Sequence, residues 1–167
     1  MVGGNVGGAI EEDGRLPSKE LYIRWLELAN FLPVVQYSIV PWDFDDEHVI
    51  SISNNMQMLR DRYVTPVLKK LLDKTILGEQ GFPVTPVWWS DNAQEALTSG
   101  QSFLVGDSLL VAPVVHENMT KCDVYIPKGS WRKVDTDTGD LAGEVIEGGR
   151  TLEIEVKIDQ IGLFVKQ

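Results

Sequence analysis

Residues 101–114 of this chain read Gln-Ser-Phe-Leu-Val-Gly-Asp-Ser-Leu-Leu-Val-Ala-Pro-Val. They hold the apolar run 102–105 and most of a second run, 108–115, on either side of Gly106 and Asp107. Short apolar runs bounded by Gly, Asp and Pro are typical of β-strands. A Gly-Asp pair between two strands is common turn chemistry, so we expect Asp107 to serve a turn rather than a reaction. The stretch predicts two strands separated by a turn.

The same pattern continues through the second half of the chain. Further short apolar or alternating runs lie at 84–89, 123–126, 132–135, 150–158 and 161–165. Polar and apolar residues alternate without a break in 151–158, so one face of that strand should be buried and the other solvated. Residues 79–167 are therefore predicted to form an all-β domain. The core residues expected at strand period are Phe103, Leu104, Leu109, Leu110, Val111, Val124, Tyr125, Leu152, Ile154, Val156, Ile158, Leu163 and Phe164.

Upstream of Gly78 the pattern is helical, with one strand. Ser18 is a good N-cap for a first helix, which Pro33 limits. The β-branched run 34–40 predicts a buried strand covered on both faces. A longer second helix follows, and Pro66 should kink or divide it. The apolar positions are Leu21, Trp25, Leu28 and Leu32 in the first helix, and Val49, Ile52, Met56, Leu59, Tyr63 and Val67 in the second.

Charge and composition exclude some classes of partner. The chain has 25 acidic and 15 basic residues and a formal net charge of -10. No run of Lys or Arg offers the basic cluster that a phosphate backbone needs, so we expect no nucleic-acid partner. No stretch approaches the roughly 20 apolar residues of a membrane span, and residues 1–5 are not the start of a signal peptide. Cys122 is the single cysteine, expected as a half-buried strand residue.

Several of these strings together resemble glycoside hydrolase family 31. The stretch 101–114 resembles the family's C-terminal signature, and 81–89, Gly-Phe-Pro-Val-Thr-Pro-Val-Trp-Trp, is similar to its entry into the sandwich. Residues 123–131, Asp-Val-Tyr-Ile-Pro-Lys-Gly-Ser-Trp, complete that series. Residues 1–5 resemble the family's Asp-Ile-Gly-Gly-Phe type segment, which follows a late barrel strand. Residues 20–33 resemble the helix and turn that lead into the last barrel strand.

This resemblance covers essentially the whole chain and implies its organisation. The fold class it implies is an α/β fragment plus an all-β part. Residues 1–78 would be the terminal βα elements of a (β/α)8 barrel, and residues 79–167 the following antiparallel β-sandwich, truncated at its C-terminus. The compartment stays open, with the secretory pathway as one alternative for the parent protein.

Within the family, two places resemble the branch of the myogenesis-regulating glycosidase and bacterial α-galactosidase-like relatives. One is Asn5 after two glycines, and the other is the segment 36–45. The α-glucosidase branch has Phe at the first place and Arg-Asn-His at the end of the last strand, where this chain has Gln36, Tyr37 and Ser38. The sugar contact made by that His is therefore not carried over, and α-galactosidase-like specificity is preferred.

No catalytic residue is expected in this chain. Family members resemble one another in using an Asp nucleophile and an Asp acid/base about 5–5.5 Å apart in a retaining mechanism. Both lie upstream of the matched segment. Asp43, Asp45 and Asp46 stand before a helix, where capping accounts for them. His48 and His116 lack partners at ligand spacing, so no metal site is expected, and no cofactor is implied.

The resemblance implies four substrate-binding residues, Asn5, Gln36, Ser38 and Trp42, with a carbohydrate substrate as partner. Trp42 follows Pro41 at the end of a predicted barrel strand, where such barrels build their active sites; core packing is the alternative. The expected parent is a retaining exo-α-glycosidase that hydrolyses terminal α-glycosidic bonds, with this segment as pocket wall and support. The alternative is a non-catalytic structural or carbohydrate-contacting module of a truncated or pseudoenzyme protein.

The adjacent Trp88 and Trp89 allow two interpretations. They could form a platform for stacking a sugar, but a strand over 84–89 would place only one ring outside. Core packing is therefore the favoured interpretation.

Overall fold

Secondary structure changes from alternating strands and helices to mostly strands near residue 80, in a computed structural model that describes residues 3–6, 14–79 and 81–167. The first part contains β1 (Gly3–Val6), α1 (Lys19–Asn30), β2 (Val34–Tyr37), a 3-10 turn (Pro41–Phe44), α2 (Glu47–Leu59), a π-helical turn (Arg60–Val64) and α3 (Thr65–Ile76). The second contains β3 (Val84–Pro86), α4 (Val87–Ser90), α5 (Gln94–Thr98), β4 (Phe103–Val105), β5 (Leu109–Ala112), β6 (Lys121–Ile126), β7 (Ser130–Val134), β8 (Leu141–Glu147), β9 (Arg150–Glu155) and β10 (Gly162–Lys166).

β1 and β2 form a two-stranded parallel sheet, connected through α1. Gly4 allows α1 to lie directly on β1, because a Cβ at that position would be 2.8 Å from Ala29 Cβ. Ser18 is the N-cap of α1, as predicted, since its Oγ accepts the Leu21 N–H at 3.1 Å. Together these elements make one strand-helix-strand unit with two further helices after it.

The strand predicted over 34–40 is shorter and less covered than expected. β2 ends at Tyr37 and pairs with β1 alone among the described strands. Val34 and Tyr37 are 43% and 37% exposed, and Gln36 is also exposed. A strand with one neighbour leaves half of its backbone groups without a ladder partner. The predicted burial on both faces is thus absent from this part of the structure.

Pro66 lies where the second helical segment changes pitch. α2 and α3 are separated by the π-helical turn, in which the Thr65 N–H is donated to Arg60 O. Because Pro66 has no N–H, the preceding turn loses a bond, and a wider turn accommodates that loss. The helical segment was predicted to be kinked or divided at Pro66, and it changes there to a π-helical turn without a break in helical structure.

Residues 79–167 form two antiparallel sheets. The larger has six strands in the order β3-β4-β5-β10-β7-β8, and the smaller consists of β6 and β9. In β9 the alternation has the predicted outcome, since Ile154 is buried while Glu153 and Glu155 are exposed. Cys122, in β6, is half-buried as expected.

The six-stranded sheet is covered on both faces, which divides the expected single core in two. Leu104, Leu110 and Phe164 belong to a cluster with buried residues of β6 and β9. Leu109 and Leu163 belong to a second cluster, which contains buried residues of α1, α2 and the π-helical turn. Consecutive strand residues point to opposite faces, so the predicted core residues could not all meet in one place. The helical part and the sandwich therefore share a core.

Two buried polar residues of α1, Arg24 and Glu27, lie at the contact between the two parts, and Arg24 makes hydrogen bonds across it. Arg24 is fully buried and donates to Lys157 O at 2.8 Å and to Met119 O at 2.9 Å. Glu27 Oε2 lies 3.4 Å from the same guanidinium. Burial raises the pKa of Glu27 well above its ordinary value; Arg24 opposes this shift and the nearby Asp159 adds to it.

Other elements also differ from the sequence prediction: α5 was not predicted, and the strand expected over 150–158 ends at Glu155. The strand expected over 84–89 ends at Pro86, and Val87–Ser90 is a helical turn, so Trp88 and Trp89 are both exposed instead of one being packed in the core. β8 was not predicted at all. It is an edge strand with Leu141 and Val145 exposed, so it carries little apolar signal.

Candidate functional site

The four predicted binding residues lie at the carboxyl ends of β1 and β2 and in the turn that follows. Asn5 and Gln36 are direct register partners across the two strands. Ser38 comes directly after β2, and its hydroxyl donates to Val6 O at 3.1 Å while its backbone N–H donates to the same oxygen at 3.0 Å. Asn5, Gln36 and Ser38 are exposed residues at one end of the parallel pair, and the Ser38 hydroxyl is held against β1 by its bond to Val6 O.

Trp42 follows Ser38 by four residues, on the 3-10 turn. Its side chain is 67% exposed, so the core-packing alternative does not hold among the described residues. Pro41 starts the turn and is buried, and the Asp43 carboxylate accepts the Val40 N–H at 3.0 Å. Asp45 ends the turn in the left-handed region, with φ 47°. The turn is thus anchored by the burial of Pro41 and the bond to Asp43, while the Trp42 indole is exposed to solvent.

Contact between two aromatic residues joins this turn to α1. Tyr22 of α1 and Phe44 have ring centroids 4.5 Å apart, and the Tyr22 hydroxyl donates to Ile39 O at 3.1 Å. Burial, and then the charges of Tyr37 and Asp43, raise the pKa of Tyr22, which keeps its hydroxyl a neutral donor. This support was missed at the sequence level, because no local pattern connects residue 22 to residues 39–44.

The carboxylates near this surface are engaged in local structure. Asp46 is the N-cap of α2, accepts the His48 N–H at 2.9 Å and pairs with Lys19. The hydrogen bond from Lys19 and that backbone N–H lower the pKa of Asp46, which is the opposite of what a general acid requires. Asp107 lies in the turn between β4 and β5, as predicted.

Ranges 3–6, 14–79 and 81–167 contain neither a metal-binding cluster nor a membrane-spanning helix. No group of three or more His, Cys, Asp or Glu residues there could hold a metal ion. None of the helices in those ranges is long and apolar enough to cross a membrane.

Comparison with known proteins identifies the family. The sequence profile described as "Glycosyl hydrolase family 31 C-terminal domain" matches residues 81–167. This chain belongs to glycoside hydrolase family 31. The family 31 chain is similar to the "Myogenesis-regulating glycosidase" of Mus musculus, with 36% identity over 98% of this chain and 22% of that protein. It is also similar to the "SITS-binding protein" of Tetronarce californica, with 33% identity over 97% of this chain and 23% of the relative.

These relatives confirm the predicted resemblance, including the branch. The chain spans about a fifth of the length of the relatives it matches. Its fold is similar to that of the "Cycloalternan-degrading enzyme from Trueperella pyogenes", with a TM-score of 0.76 at 22% identity over 91% of this chain and 23% of that one. The antiparallel sandwich with accompanying helices is thus a family 31 arrangement.

Proposed function

We propose that this chain is the C-terminal part of a retaining exo-α-glycosidase and forms one wall of its substrate pocket. The observation that carries the proposal is the grouping of Asn5, Gln36, Ser38 and Trp42 at the carboxyl ends of two parallel strands. In (β/α)8 barrels, the active site is built at this end of the strands. Three polar side chains can bond sugar hydroxyls, and the indole can cover the apolar face of a sugar ring.

The same proposal assigns residues 1–78 to the end of such a barrel and residues 79–167 to its sandwich. Parallel pairing of β1 and β2 through α1 is the connection that a barrel repeats. The exposed Val34 and Tyr37 would be covered by neighbouring barrel strands. On this account the six-stranded sheet supports the helices that follow the last strand, through the shared core.

The reaction needs two carboxylates that this segment does not supply. Asp43 and Asp46 make capping bonds, and neither is paired with a second free carboxylate among the described residues. A retaining mechanism requires a nucleophile and an acid/base on opposite sides of the scissile bond. We therefore place both outside the chain, and expect the residues of this chain to bind and orient the sugar.

For the substrate we propose a terminal α-galactoside in preference to an α-glucoside. Named relatives include "Neutral alpha-glucosidase C" of Homo sapiens and "Alpha-xylosidase" of Saccharolobus solfataricus, so related chains serve different sugars. Gln36 and Ser38 stand where the α-glucosidase branch has its Arg-Asn-His sequence. Short amide and hydroxyl side chains in place of that sequence leave room for a differently oriented sugar hydroxyl.

Kinetics of the longest natural polypeptide containing this chain test the proposal. Trp42→Ala and Gln36→Ala should each lower kcat/KM on 4-nitrophenyl α-galactoside by about tenfold or more, because each removes a contact to the sugar. Trp25→Ala is the matched control, since Trp25 is also an exposed tryptophan but lies on α1. Unchanged kcat/KM in both site variants would refute the assignment, and activity on the α-glucoside alone would refute the sugar preference.

A further inference from the structure

A groove lies between α3 and the segment that holds β3 and α4, and it shares no residue with the candidate site. Its volume is about 390 Å³. Small-molecule sites in proteins commonly have volumes of about 300–1,000 Å³, with mostly apolar walls and a few polar groups. Its lining includes Lys70, Lys74, Phe82, Trp89, Ser90 and Asp107.

Phe82 and Trp89 form an aromatic wall of the groove, and Trp88 lies next to Trp89 outside the lining. Phe82, Trp88 and Trp89 are 55%, 49% and 57% exposed. The Trp88 and Trp89 rings are stacked, with centroids 6.2 Å apart and planes 9° from parallel, and the Phe82 centroid is 5.0 Å from that of Trp89. Three large aromatic side chains left half in water form an apolar patch of the kind that marks a binding surface.

This surface exists because α4 replaces the strand expected there. Pro86 starts the helical turn, which places both indoles outside. Asp91, at the end of α4, is buried and accepts hydrogen bonds from the Tyr125 hydroxyl at 2.9 Å and the Lys128 N–H at 3.1 Å. The aromatic surface is therefore attached to the sandwich by a satisfied buried carboxylate, and a preorganised surface binds at lower entropic cost.

The rim of the groove carries charged groups of both signs. Lys70 and Lys74 come from α3, and Asp107 comes from the turn between β4 and β5. Within the described ranges, none of these three side chains has a hydrogen bond or ion pair. Ammonium groups donate and a carboxylate accepts, so together they suit hydroxyl groups, which do both. Asp107 also disfavours a polyanion in the groove.

Close packing fixes the width of the groove. Gly106 has φ +61°, and a Cβ there would lie 2.7 Å from Val67 Cγ1 of α3. A Cβ at Gly81 would lie 3.1 Å from Leu71 Cδ2. Because α3 contacts the sandwich directly at these two glycines, the distance between its lysines and the aromatic wall is set by the fold.

We propose that this groove binds a neutral oligosaccharide, with a sugar ring stacked on Trp89, the indole that Trp88 stacks against, and hydroxyls bonded by Lys70, Lys74 and Asp107. One face of a pyranose ring presents C–H groups that match the electron-rich face of an indole, while its equatorial hydroxyls point outward to the rim. The choice of a carbohydrate rests on the proposed function, but the site is separate and adds a second sugar contact to the chain.

Titration of the 167-residue chain with isomaltotriose and with maltotriose, followed by calorimetry and by the indole N–H signals in NMR spectra, tests this site. We expect saturable binding of at least one trisaccharide and shifts of the Trp88 and Trp89 signals. Trp89→Ala should weaken binding by about tenfold, or about 1.4 kcal/mol. Trp89→Phe should retain most of the affinity, and Trp25→Ala, which changes an exposed tryptophan of α1 outside both sites, should leave it unchanged.

Three results would overturn the inference. The first is no saturable binding of either trisaccharide to the folded chain. The second is binding that Trp42→Ala removes and Trp89→Ala does not, which would support the proposed function while refuting this groove. The third is a Trp89→Ala variant that abolishes self-association in sedimentation without changing sugar binding, which would make the aromatic wall a protein contact. The proposed function can fail while this inference holds. That result would be sugar binding at Trp89 together with a kcat/KM that does not change in the Gln36→Ala and Trp42→Ala variants.

Discussion

Leu110→Ala should destabilise the folded chain by about 2–5 kcal/mol. Leu110 lies in β5, is 0% exposed, and is opposite Leu104 on one side and Phe164 on the other. Removing three carbons from such a site loses their burial energy and leaves a cavity that neighbouring strands cannot close. Glu155→Ala is the control, since Glu155 is exposed on β9, and a surface change of this kind should stay within about 0.5 kcal/mol.

Urea unfolding followed by far-UV circular dichroism measures both variants. The whole chain must be used, because the other face of the same sheet packs on α1, α2 and the π-helical turn. A clear fall in the Leu110→Ala midpoint with an unchanged slope is the expected result. Equal midpoints for Leu110→Ala and Glu155→Ala would show that the strand register, or the sandwich itself, has been misassigned.

Other predictions concern the helical part and the activity of the chain. Glu27 has a raised pKa, so its contribution to stability is fully present below the unfolded value of about 4.3 and is lost as the pH rises through the folded pKa. Glu27→Gln should therefore gain stability relative to the wild type as the pH rises, which urea unfolding midpoints measured at about every pH unit from pH 4 to pH 8 would show. A variant that is less stable than the wild type at neutral pH would mean that Glu27 is ionised and paired with Arg24. Gly4→Ala should lower the melting temperature, because its Cβ would lie 2.8 Å from Ala29 Cβ, and an unchanged melting temperature would contradict the packing of α1 on β1. The purified 167-residue chain should not hydrolyse 4-nitrophenyl α-galactoside or α-glucoside, and turnover that copurifies with the chain through successive columns would refute this.

Local signals predicted much of the fold. Ser18 before a helical repeat located the start of α1, and uninterrupted alternation over 151–158 located the buried face of β9. Pro66 marked the π-helical turn between α2 and α3, because a proline has no N–H to donate in any helix. These features depend on neighbours within a few residues, so they can be read from one sequence.

Features that depend on distant partners could not be predicted in this way. The run 84–89 has the composition of a strand, yet β3 ends at Pro86 and Val87–Ser90 is a helical turn with both indoles exposed. The neighbours Leu109 and Leu110 were assigned to one core, but they lie on opposite faces of the sheet. Leu109 packs with residues of α1 and α2, and Leu110 packs with residues of β6 and β9. β8 is an exposed edge strand, so its sequence carries no burial pattern.

The candidate site was predicted from resemblance rather than from chemistry in the sequence. Asn5 and Gln36 are far apart in the chain, and nothing in either segment shows that they are register partners. The parallel pairing that joins them requires α1 to cross between the strands. For Trp42 the sequence left core packing open, and only the structure shows that its side chain is 67% exposed.

The most direct test of the account is covalent labelling of the longest natural polypeptide that contains this chain, with a 5-fluoro-α-galactosyl fluoride. Such a reagent traps the glycosyl ester on the nucleophile of a retaining glycosidase, and peptide mapping by mass spectrometry locates it. We predict a single labelled aspartate upstream of residue 1, with no label on the isolated 167-residue chain. A label on Asp43, Asp45, Asp46 or Asp107 would contradict the conclusion that this segment binds the sugar but does not cleave it.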